Sequence, residues 1–276
     1  MHLPGVRTAL LSLSERSDLE LALLPCARLL AKDGPDSMPL NPSAVDVWTF
    51  DLLASEEQVE LAYELLSLDE RRRAGRFHSP ADRRRFVMGR ASLRRVLGEY
   101  LEIAPGRLAF EYSEYGKPRL SSPDSGLHFN MSRSRERALI ACTTGREIGV
   151  DIEWIRSDLE IEDLAQRFFS TAENEKLRAV PSDLRHFAFL RCWTCKEACA
   201  KAIGKGLSID PRTLDVSAVL NNPGAPTSAE EEFVVNGWTL VVLGSQVPGY
   251  LSALAVEPGN LTIKMHPISD QQLGND

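Results

Sequence analysis

The sequence predicts an α+β fold made of two similar α/β halves with pseudo-twofold symmetry and a ligand cleft between them. A strand-like alternation at residues 45–51 precedes helical periodicity, and a second alternation at residues 148–154 is followed by helical patterns again. Short stretches repeat as well, because residues 65–70 and 168–173 both place a serine after two apolar residues and a glutamate three positions later. A duplicated unit favours a ligand site between its copies.

The elements follow in order along the chain. Residues 1–44 combine a leucine-rich stretch with several prolines, which indicates an extension joined by a loop. Helical periodicity predicts helices at 56–66, about 82–100, 158–169 and 184–203. Strand-like runs at 232–243 and 250–256 indicate a meander that completes a sheet. We therefore divide the chain into an N-terminal extension at 1–44, two halves at 45–147 and 148–260, and a loose tail at 261–276.

Charge is unevenly distributed along the chain. Its 276 residues are 43 % hydrophobic, which excludes disordered and fibrous classes, and they carry a formal net charge of -7. Residues 71–95 nevertheless hold ten arginines against one acid, Asp82. A single basic stretch on an acidic protein argues against general nucleic-acid binding and favours a compact anion such as a nucleotide. A solvated helix face is the alternative explanation.

Cysteine usage and hydropathy bear on the compartment. The five cysteines, an odd number, and a start without a cationic and apolar leader predict reduced thiols in the cytoplasm. Cys192 and Cys195 have the spacing of a metal or redox pair, but no second pair accompanies them, so we interpret them as small core residues. No apolar run approaches the ~18 residues that a membrane span needs, so we expect a soluble protein without membrane contact.

Two carboxylates share one face of a predicted strand. In the sequence Gly149-Val-Asp-Ile-Glu153, Asp151 and Glu153 project to one side because side chains alternate along a strand. Such a pair repels itself unless a cation lies nearby, and hard oxygen ligands at this spacing suit Mg²⁺. A merely polar strand face remains the alternative.

A predicted helix offers further charged groups. Glu197 and Lys201 are four residues apart and lie opposite a stripe of small residues, Ala188, Cys195, Cys199 and Ala202. The stripe predicts packing, so the charged pair faces elsewhere; a surface salt bridge is the alternative. Gly98 and Gly204 are predicted to end corresponding helices in the two halves, with Lys205 placed after Gly204 to reach an anion.

These motifs together resemble a known family. Gly149-Val-Asp-Ile-Glu153, followed by Trp193-x-x-Lys196-Glu197-Ala-x-x-Lys201 and Gly204-Lys-Gly-Leu207, is similar to the paired signature of the Sfp-type 4'-phosphopantetheinyl transferases. Further matches occur in the family's order: Arg85-Phe86, Arg90-Ala-x-Leu-Arg94, Gly116-Lys117-Pro118, Phe129-Asn130-x-Ser132 and Arg167-Phe-Phe-Ser170-x-x-Glu173. The resemblance covers the chain from Val45 to Ser208.

The resemblance implies an enzyme that moves the phosphopantetheine arm of coenzyme A onto a serine of an apo acyl or peptidyl carrier protein and releases adenosine 3',5'-bisphosphate. It implies that Asp151, Glu153 and Glu197 hold Mg²⁺. Glu173 and Lys201 would join Glu197 in catalysis, with Glu173 deprotonating the serine and Lys201 stabilising the leaving oxygen. Whether the carrier serves fatty-acid, polyketide or peptide synthesis stays open.

The resemblance also implies which residues bind coenzyme A. The residues concerned are Arg73, Arg76, Arg85, Arg90, Tyr115, Gly116, Lys117, Pro118, Ser132, Arg133, Lys196, Lys201 and Lys205. Residues 115–118 would follow the adenine largely through their backbone, whereas the cations would meet the phosphates. The sequence departs from the family at Arg133, where a histidine is usual, and in the extension at 1–44.

Two other functions fit parts of this pattern. A non-catalytic module that binds coenzyme A or carrier proteins would use the same fold, although the catalytic positions are intact. A different Mg²⁺-dependent nucleotide phosphotransferase would be expected to carry a P-loop, which the sequence lacks. We expect a monomer, since the duplication already supplies two halves.

Overall fold

The computed structural model describes residues 43–121, 125–223, 230–244 and 247–266. Within this part of the chain the strands are β1 Ala44–Asp51, β2 Phe110–Tyr112, β3 Pro118–Leu120, β4 Leu127–Ser134, β5 Arg137–Thr144, β6 Ile148–Trp154, β7 Glu231–Val235, β8 Trp238–Leu243, β9 Tyr250–Val256 and β10 Thr262–His266. The α-helices are α1 Glu56–Glu64, α2 Leu68–Ala74, α3 Pro80–Leu101, α4 Ile161–Phe168, α5 Thr171–Ala179 and α6 Arg185–Ile203. The predicted extension lies outside the described residues except at its last two positions, and Ala44 already begins β1.

The strands form two four-stranded sheets and one hairpin. The first sheet has the order β10-β1-β5-β4, the second has the order β6-β9-β8-β7, and β2 pairs with β3. All pairs are antiparallel except β1 with β10. Each four-stranded sheet belongs mainly to one half of the chain, as the predicted α+β fold of two halves requires.

Each half builds its helices from the same local signals. Ser67 begins α2 and Ser170 begins α5, and each is the serine of a capping box whose glutamate lies three residues later. A long helix follows in both halves, α3 in the first and α6 in the second. The sequence repeat that predicted a duplication therefore marks the start of one helix in each half.

Side chains rather than a backbone ladder join the edge strands β4 and β6. Asn130 accepts from the backbone N–H of Val150 at 3.0 Å, and Ser134 accepts from that of Trp154 at 3.0 Å. Buried Ser132 lies between them on the same face of β4, because side chains alternate along a strand. These hydrogen bonds hold β4 of the first half against β6, the strand that carries Asp151.

The two faces of β6 have different neighbours. Ile148, Val150 and Ile152 pack in an apolar cluster shared with β1 and β5 of the first sheet. The opposite face lies under α6, and a Cβ added at Gly149 would come within 2.2 Å of the carbonyl oxygen of Ala198. Only glycine permits this approach, so Gly149 sets the depth at which α6 lies on β6.

Most predicted elements are confirmed, with differences at local features. The helices α2 and α5 and the strands β4 and β5 were not predicted, and the run at 232–243 is two strands joined by an Asn236-Gly237 turn with positive φ at both residues. Gly204 ends α6 in the left-handed conformation as predicted. The prediction that Gly98 ends a helix is wrong: α3 runs on to Leu101.

The predicted loose tail is also wrong in its first part. Residues Thr262–His266 form β10, which pairs in parallel with β1 and extends the first sheet. β10 pairs through backbone groups with β1, and the amino-acid sequence of residues 262–266 does not predict which strand it will join. The remainder, 267–276, lies outside the described residues. None of the helices in the described ranges is long and apolar enough to cross a membrane.

Candidate active site

A cavity of about 310 Å³ opens between the two halves of the chain. One wall comes from the first half and includes residues 115–118 together with Asn130 and Met131. The other wall comes from α6 and the segment after it, including Trp193, Glu197 and Lys201. The cleft predicted from the duplication is therefore present, and it brings the predicted residues 115–118 opposite the predicted charged pair.

Asp151 is the most deeply placed acid of the site. It lies on the α6 side of β6 with 3 % of its surface exposed. Lys201 donates from Nζ to Asp151 Oδ1 at 2.5 Å and to Ser132 Oγ at 2.8 Å, and the Ser132 hydroxyl donates to the same Oδ1 at 2.7 Å. Lys201 and Asp151 therefore form a half-buried ion pair rather than the Glu197–Lys201 surface pair that was the alternative.

Two more carboxylates surround this pair. Burial, followed by the charge of Asp151, raises the pKa of both Glu153 and Glu197, and Lys201 partly opposes the effect. Ser134 donates to Glu153 Oε2 at 3.0 Å. The three acids are thus close enough to repel one another. The strand alternation predicted this for Asp151 and Glu153, and the family resemblance implied that Glu197 joins them.

The oxygen atoms of this cluster match the chemistry of the implied divalent cation. The Asp151 Oδ2 atom is buried and has no hydrogen-bond partner, and three mutually repelling carboxylates supply the hard oxygen ligands that Mg²⁺ prefers. In the described part of the chain, however, no three acidic, histidine or cysteine side chains are already arranged as a metal site. The residues fit the cation in chemistry, and its binding stays a prediction.

Glu173 and Lys196 form a buried ion pair, and Lys196 also lines the cavity. Glu173 is 0 % exposed; Lys196 Nζ donates to its two carboxylate oxygens at 2.7 and 2.6 Å. The backbone N–H groups of Ser170 and Val216 also donate to Glu173, and the Lys196 ammonium donates further to the carbonyl of Leu214 at 2.6 Å. A base needs a free lone pair towards its substrate, so this geometry does not support the predicted roles of Glu173 as base and Lys196 as a phosphate cation.

Two of the predicted coenzyme A arginines are neutralised within the protein. Buried Arg90 donates to Glu70 Oε1 through Nε at 2.7 Å and also through Nη2. Arg85 pairs with Asp82 at 2.9 Å and with Glu136 at 2.5 Å. The pairing of Arg90 with Glu70 therefore does not support the predicted contact of Arg90 with a phosphate. The charge of Arg85 is shared with two acids, Asp82 and Glu136.

Other predicted arginines are available at the surface. Arg73 and Arg133 flank the Phe86 ring, with their Cζ atoms 5.3 and 5.7 Å from its centroid. Desolvation and then the charges of Arg73 and Arg90 lower the pKa of Arg133, as expected of crowded cations. The stem of Arg133 lies against Gly89, where an added Cβ would be 2.9 Å from its Cδ. Arg76 is exposed beside Arg73, in a neighbouring cavity of about 920 Å³.

The remaining predicted residues lie in two loops at the cavity mouth. Tyr115 is 44 % exposed, and Gly116 takes a positive φ of 84° in a turn that Ser113 closes by accepting from the Gly116 N–H. Lys117 lines the cavity, and its ammonium is hydrogen bonded within the protein to Glu147 and to the carbonyls of Ile148 and Ala202. Lys205 is exposed on the turn after α6, where its neighbours Gly204 and Gly206 line the cavity.

Sequence reasoning missed part of the contact between β4 and β6 that supports the site. Asn130 belongs to a matched motif but was given no role, and Ser134 was not predicted as functional. Both side chains nevertheless hold β6 in place by accepting hydrogen bonds from its backbone. The alternation of polar residues at 130, 132 and 134 is the signal that could have revealed this face of β4. Cys192 and Cys195 are buried free thiols in α6, as the core interpretation predicted.

Comparison with known proteins bears directly on this site. The family model of the 4'-phosphopantetheinyl transferase superfamily matches residues 147–250, and that of the 4'-phosphopantetheinyl transferase N-terminal region matches residues 52–145. The 4'-phosphopantetheinyl transferase HetI of Nostoc sp. is 43 % identical over 176 residues, which is 63 % of this chain and 74 % of HetI. The 4'-phosphopantetheinyl transferase Sfp of Bacillus subtilis is 31 % identical over 207 residues, 74 % of this chain and 84 % of Sfp. The matches extend over both walls of the cavity and every acid around Lys201, and the chain therefore belongs to the 4'-phosphopantetheinyl transferase superfamily.

Proposed function

We propose that this chain transfers the 4'-phosphopantetheine arm of coenzyme A to a serine of an apo acyl or peptidyl carrier protein and releases adenosine 3',5'-bisphosphate. The observation that carries the proposal is the cluster of Asp151, Glu153, Glu197 and Lys201 at a cleft between the halves of a member of this superfamily. The serine oxygen forms a bond to the phosphorus nearer the pantetheine, and the bond from that phosphorus to the bridging oxygen of the diphosphate breaks. The serine proton goes to a carboxylate of the cluster.

Lys201 is suited to the leaving group. Its ammonium is held by Asp151 and Ser132, is 29 % exposed at the side chain, and lines the cavity. A positioned cation stabilises the negative charge that develops on the departing phosphate oxygen. Asp151 then acts by orienting Lys201, in addition to its proposed share in holding the metal.

Glu197 is better placed than Glu173 to accept the serine proton. It lines the cavity and so borders the space that a bound substrate would fill. Glu173, by contrast, is enclosed and fully hydrogen bonded. We therefore assign the base role to Glu197 and a structural role to Glu173.

Asp151, Glu153 and Glu197 are the residues that would hold Mg²⁺, which when bound would offset charge on the coenzyme A diphosphate. The exposed cations Arg73 and Arg133 would bind the phosphates, since arginine donates to phosphate through two N–H groups at once. Residues 115–118 would contact the adenine through their backbone.

The acceptor is a carrier protein of acidic character, attracted by the exposed arginines of the first half through long-range forces that salt weakens. One chain contributes both walls of the cleft, which supports action as a monomer. Free thiols at every cysteine of the described residues fit a cytoplasmic, reducing setting.

The test is incubation of the purified chain with coenzyme A, Mg²⁺ and a panel of apo carrier proteins, read by intact mass. We expect a metal-dependent gain of one phosphopantetheine on at least one carrier and none after chelation. Coenzyme A binding without any gain on fatty-acid, polyketide and peptide-synthetase carriers would contradict the proposal and favour the non-catalytic module.

A further inference from the structure

Lys117 has an ammonium whose bonding capacity is used up inside the protein. Its Nζ donates to Glu147 Oε2 at 2.7 Å, to the carbonyl of Ala202 at 2.9 Å and to the carbonyl of Ile148 at 3.1 Å. An ammonium has three N–H donors, so the three acceptors account for all of them. The side chain is 8 % exposed, and its burial lowers the pKa of Lys117 while Glu147 opposes that shift.

The acceptors belong to the two segments that carry the chemistry. Ile148 is the first residue of β6, three positions before Asp151, and Ala202 directly follows Lys201 in the last turn of α6. The stem of Lys117 crosses Gly204, where an added Cβ would lie 2.8 Å from the Lys117 Cδ. One side chain therefore links the start of the acid-bearing strand to the end of the helix that bears Lys201.

The same residue also fixes the opposite wall of the cleft. The turn at residues 113–117 is closed by Ser113, whose N–H donates to the Lys117 carbonyl at 2.9 Å and whose hydroxyl accepts from the Lys117 N–H at 3.1 Å. This turn presents Tyr115 and Gly116 to the cavity. Its position relative to β6 and α6 thus depends on where the Lys117 ammonium is held.

We propose that Lys117 is a positioning residue for the transfer reaction, which locks the cleft turn at residues 113–117 to β6 and α6 and so holds Asp151 and Lys201 in register with the bound substrate. The proposal rests on the proposed function for the reaction that it serves. It is compatible with the predicted backbone contact of residues 115–118 with the adenine, and it leaves no N–H of the Lys117 ammonium for a phosphate.

The two roles make different demands on the residue. A phosphate cation would tolerate Lys117→Arg, since both side chains are positive, and would suffer from Lys117→Met mainly in the KM for coenzyme A. A positioning ammonium would tolerate neither, because a planar guanidinium cannot donate to three acceptors placed around one nitrogen. Arg119 offers a matched control: it also pairs with Glu147, at 3.1 Å, but is 62 % exposed and contacts neither carbonyl in the described structure.

The experiment compares Lys117→Met, Lys117→Arg and Arg119→Met in the full chain, with kcat at saturating coenzyme A and KM measured per folded molecule. We expect both Lys117 variants to lower kcat at least about tenfold, because small displacements of reacting groups are costly, with a smaller change in KM. Arg119→Met should stay within about threefold of wild type, as expected for a rim charge. Full activity of Lys117→Arg with a raised KM in Lys117→Met would overturn the proposal, as would wild-type kcat in both.

Two measurements without turnover separate this proposal from the function itself. The affinity for coenzyme A, measured by calorimetry, should be similar for Lys117→Met and Lys117→Arg when the two variants are compared with each other. Amide hydrogen exchange at residues 113–117 should be faster than in wild type in both variants but not in Arg119→Met. If the wild type transfers nothing yet these results hold, the proposed function fails, and what stands is that Lys117 locks the turn at residues 113–117 to β6 and α6. If Lys117→Arg alone keeps wild-type affinity and exchange, the positioning role fails whatever the activity.

Discussion

The two halves of the chain anchor their long helices by the same device. In the first half the capping-box residue Glu70 is buried and pairs with Arg90 and Arg94 of α3. In the second half the capping-box residue Glu173 is buried and pairs with Lys196 of α6. Each glutamate thus caps one helix and neutralises a buried cation of the next, so the duplicated sequence repeat marks the same structural joint in both halves.

The halves differ at the strand that faces the long helix. Val45-Asp46-Val47 of β1 corresponds to Val150-Asp151-Ile152 of β6, and Asp46 and Asp151 are both buried. Around Asp46 the neighbours are His266, at 2.7 Å from Oδ1, and Trp48, which stacks on that histidine.

Two further acids and Lys201 surround the second aspartate. Two residues after the aspartate, the first half has Trp48 and the second half has Glu153. Directly after the buried cation of the long helix, the first half has Ala91 and the second half has Glu197. A further difference is the ion pair that Lys201 forms with Asp151 in the second half. The corresponding positions therefore hold a cluster of charges in the second half and a stacked tryptophan and histidine in the first.

The largest effect that tests this comparison is expected from Asp151→Asn. The change keeps the shape but removes the charge that holds Lys201, so we expect transfer to fall at least about a thousandfold in kcat/KM. Asp46→Asn is the matched change in the other half and should lower the free energy of unfolding by about 1–3 kcal/mol while leaving transfer per folded molecule unchanged. Transfer by Asp151→Asn above about a tenth of wild type, or an inactive but stable Asp46→Asn, would show that the chemistry is not confined to the second half.

The next effect concerns the two buried capping-box glutamates. Glu70→Gln and Glu173→Gln each leave a buried cation without its counter-charge, so both should lower the free energy of unfolding by about 3–5 kcal/mol in urea titrations. Glu70→Gln should be at the upper end, since two arginines lose their partner.

The same pair of variants separates structure from catalysis. Glu173→Gln should transfer phosphopantetheine within about threefold of wild type per folded molecule, as should Glu70→Gln. A stable and inactive Glu173→Gln would instead restore the base role that the sequence predicted for Glu173.

The smallest effect is expected at the boundary between the halves. Hydrogen bonding to His128 and then to Lys117 lowers the pKa of Glu147 to about 2. Because the folded pKa lies below the unfolded value, this stabilisation is present above about pH 4.5 and is lost as the pH falls towards 2. We expect Glu147→Gln to be about 1–2 kcal/mol less stable than wild type at neutral pH, with the difference vanishing near pH 2. An equal difference at both pH values would contradict an ionic origin.

The sequence predicted well whatever depends on neighbours along the chain. The alternation at residues 148–152 placed Asp151 and Glu153 on one face and the apolar residues on the other, as observed. The small-residue stripe predicted the buried side of α6, and Gly204 predicted its left-handed end. Such signals are readable because the period of a helix or strand and the freedom of glycine are local properties.

The partner of each buried charge was decided by the tertiary structure alone. In the sequence Arg90 and Lys196 look like free cations for a phosphate, but each meets an acid brought by folding. The ammonium of Lys117 likewise meets the carbonyl of Ala202, 85 residues away. A buried charge must be paired, and nothing in the neighbouring letters states which residue will pair it. The amino-acid sequence by itself thus determined most of the helices, the internal repeat and the shared face of Asp151 and Glu153, whereas the tertiary structure decided which cations are paired inside the protein.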